Sequence, residues 1–292
     1  MKKATRVRYS ERQMGLLSAA EHASFRENGF LVVDVLRPHE LAPVRAAFER
    51  LVEKQRAAWG ADAAAAGRRS QWQVGAQPRV MNYDQLVEDT DTARTVELLF
   101  DPRTMGVCSE LMGGAEAGCA CYMLMCSPTE DHGPANWHRD IHPHDQAPLA
   151  ALREDMRANG PALLQWNLAL YDDDVLWVLP GSHRRPNTDA ENAALTANDR
   201  AVISPEAMQV KLKAGQGVLY TNTIFHWGSN YSPKLRRCVH FGYRSMRGST
   251  FPYVAYDAYG TAATRRAVDK HLSPEIQAVR ARHEALWEWE CD

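Results

Sequence analysis

The stretch Trp137-His138-Arg139-Asp140 decides the fold prediction. In an extended strand, residues two positions apart point to the same side, so His138 and Asp140 can reach one metal ion together. A third ligand would complete a site, and the favoured candidate is His226, in the segment Tyr220-Thr-Asn-Thr-Ile-Phe-His226-Trp-Gly-Ser. The pair alone is a weak signal, because the chain has 11 histidines and the alternative is a set of structural histidines. All three residues together predict a metal site.

The donor atoms of this set predict the type of metal. Two histidines and one carboxylate on one face of a metal leave coordination positions open, which is the arrangement of non-haem iron(II) oxygenases. Oxygen activation at such a site needs two electrons from a co-substrate, and 2-oxoglutarate supplies them while binding the metal through its keto-acid end. The distal carboxylate of 2-oxoglutarate then needs a planar cation, because arginine offers it two parallel hydrogen bonds. Arg236 and Arg237, shortly after His226, are the candidates.

Length and charge limit the classes of partner. With 292 residues, 45% of them hydrophobic, and no Pro/Gly/Ser-rich linker, residues 1–292 are expected to form one domain. A net charge of −2, from 34 Lys and Arg against 36 Asp and Glu, gives no field that attracts nucleic acid or anionic lipid. We therefore expect a small-molecule substrate, no nucleic acid and no membrane. The chain has neither a signal-peptide-like start nor the roughly 18 apolar residues of a membrane span, so a soluble cytoplasmic protein is expected.

The cysteine pattern favours buried, reduced thiols over a zinc site or disulfides. Cys119 and Cys121 lack the two-residue gap of a zinc knuckle, and they lie in the apolar run 119–126. Free cysteine usually behaves as a small buried apolar residue. The six cysteines are at positions 108, 119, 121, 126, 238 and 291.

Helices are expected at the two ends of the chain. Ser18 and Glu21 have the spacing of a capping box for a helix that ends near Gly29. The N-terminal part, about 10–115, is then expected to contain a strand at 30–35, an amphipathic helix from Pro38 to Gly60, a connection at 61–80, and helices near 92–100 and 102–112. A C-terminal extension, about 246–292, should contain a last helix at about 274–289.

Strand periodicity dominates the middle of the chain, about 118–245. Many short strands separated by Gly/Pro turns are typical of a jelly roll or related cupin-like barrel, wide enough to hold a ligand. The fold class expected is therefore mainly β with flanking helices (α+β). The candidate strands are 119–126, 137–141, 162–171, 175–179, 208–212, 217–221 and 235–244.

The strand 162–171 carries an additional signal. One face is apolar, with Leu164, Trp166 and Leu168, while the opposite face carries Gln165 and Asn167. Amides in a core strand need hydrogen-bonding partners, so they face either a ligand pocket or solvent on an outer sheet. Both alternatives are open at this point.

Four segments together resemble the phytanoyl-CoA dioxygenase family of iron(II)- and 2-oxoglutarate-dependent oxygenases. They are Trp-His138-Arg-Asp140, then 176–184 (Leu-Trp-Val-Leu-Pro-Gly-Ser-His-Arg), then 226–237 (His-Trp-Gly-Ser-Asn-Tyr-Ser through Arg-Arg), and the opening segment 25–33. The resemblance covers about residues 20–245. It implies a double-stranded β-helix core, with His138, Asp140 and His226 as ligands of iron(II), and His183 outside that set.

The resemblance also implies the reaction. It predicts hydroxylation of an unactivated C–H bond with 2-oxoglutarate and O2, releasing succinate and CO2. Asp140 excludes the related halogenases, which lack this carboxylate. Gln165 and Asn167 are further candidates for contact with the co-substrate. The alternative is a non-catalytic cupin-like protein that binds a metal or ligand.

Two points stay open. The family pattern has one more residue between the distal histidine and the following asparagine than this chain has. Counting from His226 therefore selects Arg237 as the co-substrate arginine, whereas counting from Ser232 selects Arg236. We favour Arg236, because the missing residue falls in the turn and the segment from Ser232 to the arginine is unbroken. The sequence specifies neither the substrate nor the oligomeric state.

A lid is expected at 142–161. The candidates for lining the pocket are His142, His144, Trp166, Trp227, Tyr243 and Arg244.

Overall fold

A computed structural model describes residues 6–7, 16–81, 83–114, 117–140, 161, 163–197, 204–229, 234–245 and 267–291. The helices are α1 (Ala19–Asn28), α2 (Pro38–Ala65), α3 (Gln71–Val74), α4 (Thr90–Glu97), α5 (Val107–Leu111), α6 (Asp189–Thr196) and α7 (Pro274–Cys291). The strands are β1 (Arg6–Val7), β2 (Phe30–Asp34), β3 (Arg79–Met81), β4 (Ala117–Cys126), β5 (Leu163–Ala169), β6 (Leu176–Val178), β7 (Met208–Gln209), β8 (Gln216–Thr221), β9 (His226–Gly228) and β10 (Arg237–Ser245). No described helix is both long and apolar enough to cross a membrane.

Two sheets form the centre of the fold. The larger sheet has seven strands in the order β1-β2-β8-β5-β10-β4-β3, antiparallel except for the parallel pair β1 and β2. The smaller sheet has the order β7-β6-β9 and is antiparallel throughout. Residues from both sheets line one cavity. The predicted class, mainly β with flanking helices around a jelly-roll core, is confirmed.

Strand β5 shows why the larger sheet has two different faces. Leu164, Trp166 and Leu168 are fully buried in the main core, on the side of the sheet that the helices cover. Trp166 stacks on Phe241 of β10 with ring centroids 5.9 Å apart. On β8, Gly217 makes room for the indole, since a Cβ atom there would lie 2.8 Å from the ring. The alternate residues of β5 face the cavity.

Helix α2 covers the outer face of the larger sheet. It begins at Pro38, where the fixed φ of proline suits the first helical position, and it buries Val44, Phe48 and Leu51. The helix runs five residues past the predicted end at Gly60. Alanines follow the glycine, and their high helix propensity outweighs its cost of about 1 kcal/mol.

Other elements also differ from the prediction. The connection at 61–80 contains the end of α2, helix α3 and the start of β3, none of which was expected. The expected strand 137–141 is instead an extended segment with an isolated bridge between His138 and His226. Helix α6 was missed, although Thr188 and Glu191 form its capping box. Helix α7 was predicted to within two residues. The lid expected at 142–161 falls almost entirely outside the described residues.

Candidate active site

The side chains of His138, Asp140 and His226 lie close together where an isolated β-bridge joins the extended segment 137–140 to strand β9. The backbones of His138 and His226 exchange two hydrogen bonds, each of 3.0 Å. The segment continues to Asp140, whose backbone nitrogen donates to Asn222 O across 2.9 Å. One nitrogen or oxygen from each of the three side chains lies within 4.8 Å of the other two. The three residues singled out in the sequence are therefore brought together.

Hydrogen bonds orient both imidazole rings. His138 Nδ1 lies 2.8 Å from Asn136 O, and His226 Nδ1 lies 3.0 Å from Ile224 O. A carbonyl oxygen only accepts, so each Nδ1 carries the proton and each Nε2 presents a lone pair. The two Nε2 atoms lie 3.5 Å and 3.3 Å from the Asp140 carboxylate. Three electron-pair donors thus converge without a donated hydrogen between them, which fits a divalent cation.

A second polar contact holds the carboxylate of Asp140. Gln165 Nε2 donates to Asp140 Oδ2 across 2.9 Å. Burial raises the pKa of Asp140, but His226 and His138 when protonated, together with the hydrogen bond from Gln165, outweigh burial and hold that pKa far below its usual range. Asp140 is therefore ionised at neutral pH and available as a metal ligand.

The three side chains open into a cavity of about 250 Å3. The larger sheet contributes the inward-facing residues of β3, β4, β5, β8 and β10, and the smaller sheet contributes β6 and β9. Gln165 and Asn167 are each 6% exposed and face this cavity, so the pocket alternative holds and the solvent alternative is wrong. The lining residues are Gln77, Arg79, Cys121, Met123, Met125, Ala135, His138, Asp140, Leu163, Gln165, Asn167, Val175, Leu176, Tyr220, His226, Gly228, Arg236 and His240.

The two candidate arginines have different surroundings. Arg236 lines the cavity, and its Nε donates to Asp173 Oδ2 across 2.6 Å. Arg237 is not among the cavity-lining residues; its Nε lies 3.0 Å from the carboxylate of Glu49 on α2. Both arginines are buried. Of the two, only Arg236 shares the cavity with the three candidate metal ligands.

His240 was missed by the sequence analysis. Its Nδ1 lies 2.8 Å from Asn167 Oδ1, and burial lowers the pKa of the ring to about 4, so it is neutral at pH 7. The available signal was its position four residues after Arg236, on the same face of β10. The same alternation on β4 would have identified Cys121, Met123 and Met125 as cavity residues.

Several candidates for lining the pocket lie elsewhere. Trp166 and Tyr243 belong to the main core, because their strand positions alternate with those facing the cavity. Trp227 packs on Trp137 with parallel rings 5.5 Å apart, and neither it nor Arg244 lines the cavity. His142 and His144 lie outside the described residues.

His183 lies outside the group of candidate ligands. It is 3% exposed, and its Nε2 lies 3.2 Å from Arg26 O. Burial lowers the pKa of this ring to about 4. Its ring also fills the space beside Gly29, where a Cβ atom would lie 2.5 Å from His183 Nδ1. Its contacts therefore connect the turn after β6 to the end of α1.

Comparisons with known proteins agree with this geometry. The phytanoyl-CoA dioxygenase (PhyH) family matches residues 25–238, well over half of the chain. No curated protein matches. The solved structure of AviO1 from Streptomyces viridochromogenes Tue57 is 23% identical with a TM-score of 0.55, over 82% of this chain and 100% of that one. EctD from S. alaskensis, solved with 2-oxoglutarate and 5-hydroxyectoine, is 19% identical with a TM-score of 0.58, over 88% of this chain and 89% of that one.

A third similar structure is that of SnoK from nogalamycin biosynthesis, a non-heme alpha ketoglutarate dependent carbocyclase. It is 21% identical with a TM-score of 0.55, over 79% of this chain and 85% of that one. At these identities the structures establish a common fold, while the family match covers the segments that carry all three candidate ligands. The chain therefore belongs to the phytanoyl-CoA dioxygenase family and is an enzyme that depends on iron(II), 2-oxoglutarate and O2.

Proposed function

We propose that this enzyme hydroxylates an unactivated C–H bond of a small-molecule substrate and releases succinate and CO2. In this proposal His138, Asp140 and His226 hold the iron, and Arg236 holds 2-oxoglutarate. The observation that carries the proposal is that these four side chains line one cavity. The iron, when bound with its co-substrates, supplies the oxidation chemistry, and the protein supplies binding and orientation.

Among the residues that the structure describes, three side chains offer ligand atoms to one metal ion, and all three line the cavity. Each histidine is fixed by its Nδ1–H donation to a backbone carbonyl, which keeps Nε2 directed at the metal position. The third ligand, Asp140, is fixed as an acceptor, by the hydrogen bond that Gln165 Nε2 donates to it. An open set of three ligands is typical of a catalytic metal site, whereas a structural site is closed by four. This property disfavours the alternative of a non-catalytic cupin-like protein.

Arg236 is suited to the distal carboxylate of 2-oxoglutarate. It is a permanent cation, 4% exposed, in a cavity where little water competes for its hydrogen bonds. Asn167 and His240 lie on the inward face between the level of Gln165 and that of Arg236, as the pairing of β5 with β10 shows. We therefore assign Asn167, like Gln165, to the region that the co-substrate occupies.

Part of the cavity wall is apolar and borders the space proposed for the substrate. Met123, Met125, Leu163 and Leu176 present apolar and thioether groups to it. An apolar wall beside the substrate favours reaction with a bound C–H bond over loss of oxidising equivalents to solvent. The similar structures do not agree on one substrate: EctD was solved with 5-hydroxyectoine, whereas SnoK is a carbocyclase.

The test is succinate formation by the iron(II)-loaded protein across a panel of candidate small molecules. A true substrate should increase succinate release and yield a product with one added oxygen atom, in equal amounts. Asp140→Ala should abolish both. A substrate-dependent product that has lost two hydrogens and gained no oxygen would replace hydroxylation with desaturation. Iron-loaded protein that never consumes 2-oxoglutarate would overturn the proposal.

A further inference from the structure

Asp173 and Arg236 form a buried ion pair at the wall of the cavity. Their side chains are 5% and 4% exposed, and Arg236 Nε lies 2.6 Å from Asp173 Oδ2. The other oxygen, Asp173 Oδ1, accepts a hydrogen bond of 2.9 Å from the backbone nitrogen of Val175. The backbone of Asp173 is itself held by an isolated bridge to Leu212. The carboxylate is therefore fixed at both oxygens before it meets the arginine.

This pair determines how Arg236 can meet a ligand. A guanidinium group offers N–H donors along more than one edge, and a free arginine side chain has many rotamers. With Nε directed at Asp173, a second carboxylate would meet the guanidinium at its two terminal nitrogens. Nη1 lies 3.9 Å from Met125 Sδ, a residue of the cavity wall. The planar donor pair needed for a bidentate carboxylate contact is thus oriented in advance.

We propose that Asp173 is a positioning residue for the co-substrate: it holds the Arg236 guanidinium so that its terminal edge binds the distal carboxylate of 2-oxoglutarate. This inference rests on the proposed role of Arg236. Asp173 also carries a negative charge, which opposes a second carboxylate, so the gain in orientation must exceed this repulsion. In this arrangement the guanidinium would lie between the two carboxylates, which limits the repulsion.

The chain provides a matched control in the preceding residue. Asp172 accepts from the backbone nitrogen of Ala214 across 3.0 Å and from Lys213 Nζ across 2.7 Å. It therefore makes one backbone contact and one cation contact, as Asp173 does, but on the exposed surface. Asp172→Ala removes a carboxylate of the same kind from the same turn, away from the cavity.

The experiment measures binding of 2-oxoglutarate to the manganese(II)-loaded protein by isothermal titration calorimetry, without oxygen. Asp173→Ala should raise the Kd roughly 10- to 100-fold, by analogy with the loss when a residue that orients a metal ligand is removed. Asp172→Ala should leave the Kd within about twofold, since exposed ion pairs contribute little. In turnover, Asp173→Ala should raise the KM for 2-oxoglutarate while kcat at saturation stays near that of the wild type.

Asp173→Asn adds a second, more conservative variant. Asparagine has nearly the same volume but one acceptor oxygen. Because Val175 N and Arg236 Nε contact different oxygens of Asp173, the amide can accept from only one of them without moving. We expect a Kd increase smaller than that of Asp173→Ala but at least roughly threefold. If Asp173→Ala does not fold, this variant alone decides the question.

The outcomes separate this inference from the assignment of Arg236. A Kd within twofold of wild type in both Asp173 variants, even with a lower Tm, would show a purely structural role and overturn the inference. If Arg236→Lys also leaves the Kd unchanged, the error lies in the proposed role of Arg236. Loss of binding in Arg236→Lys with unchanged Asp173 variants leaves that role intact and rejects only the positioning by Asp173.

Discussion

Arg236 and Arg237 are adjacent in the chain, but their guanidinium groups lie on opposite faces of the larger sheet. Arg236 lines the cavity with the three candidate metal ligands. Arg237 instead contacts Glu49 of α2, and its guanidinium lies 5.7 Å from the centre of the Trp72 ring. Strand alternation requires this separation, since consecutive side chains point to opposite faces. Counting residues in the sequence allowed either arginine as the co-substrate ligand, and the different contacts of the two side chains distinguish them.

The first prediction compares lysine at these two positions. Arg236→Lys retains a positive charge but loses the two parallel hydrogen bonds, so the KM for 2-oxoglutarate should rise by roughly tenfold or more. Arg237→Lys should leave this KM unchanged and lower the Tm, because its contacts connect the sheet to α2. Steady-state kinetics with varied 2-oxoglutarate and thermal unfolding measure the two effects. The reverse pattern would assign the co-substrate to Arg237.

The second prediction concerns iron binding. Alanine at His138, Asp140 or His226 should sharply reduce the iron content after reconstitution and abolish turnover, because it removes one of the three ligand atoms that the described part of the chain brings together. His22→Ala provides a control, since His22 also pairs with a carboxylate, that of Glu110, but lies far from these residues in the chain. Metal analysis after desalting measures the iron content. Full activity of Asp140→Ala would refute the ligand assignment.

Sequence periodicity predicted those parts of the fold and site that depend on local spacing. The alternation in β5 placed Gln165 opposite the apolar residues, and the H-x-D spacing placed His138 and Asp140 on one side of an extended segment. Both signals act over a few residues and are direct consequences of backbone geometry. His226 was the favoured third ligand on its own segment, and the resemblance to a family implied the same residue, but no local pattern connects residues so far apart.

Features that depend on tertiary contacts were harder to predict. Strand β3 has only three residues, and its pairing with β4 rather than its composition defines it. The segment around His138 was expected to be a strand, yet its only ladder contact among the described residues is the bridge to His226. Strand alternation indicates that His240 faces inward with Arg236, but its hydrogen bond depends on the neighbouring strand that brings Asn167 to it. Each of these features requires knowledge of which elements are neighbours.

The third prediction tests the contact between Gln165 and Asp140. Gln165→Leu keeps the approximate volume but removes the donor to Asp140 Oδ2, so iron affinity should fall by roughly 10- to 100-fold. Gln165→Glu should be worse, because a second carboxylate would lie beside the first. Competition with a chelator measures the affinity. Unchanged affinity in Gln165→Leu would show that Asp140 needs no support from this strand.

The fourth prediction concerns the pH dependence of stability, through Asp84. This residue is 1% exposed, and burial raises its pKa from 3.8 to about 6, although the Tyr122 hydroxyl and the Arg280 charge act in the opposite direction. Between pH 4 and pH 6, Asp84 therefore holds a proton in the folded state, whereas the same carboxyl is already ionised in the unfolded chain. Stability from this group is fully present below about pH 4 and is lost as the pH rises through 6.

Asp84→Asn removes this dependence, because the amide stays neutral at every pH. Above pH 6, the free energy of unfolding should be higher for the variant than for the wild type by up to about 3 kcal/mol, since each unit of pKa shift corresponds to about 1.4 kcal/mol. The difference should shrink steadily from pH 6 to pH 4, where the wild-type carboxyl is also neutral. Urea unfolding at a series of pH values measures both curves. A gap that stays constant with pH, or that grows towards acid, would mean that Arg280 keeps Asp84 ionised in the folded protein.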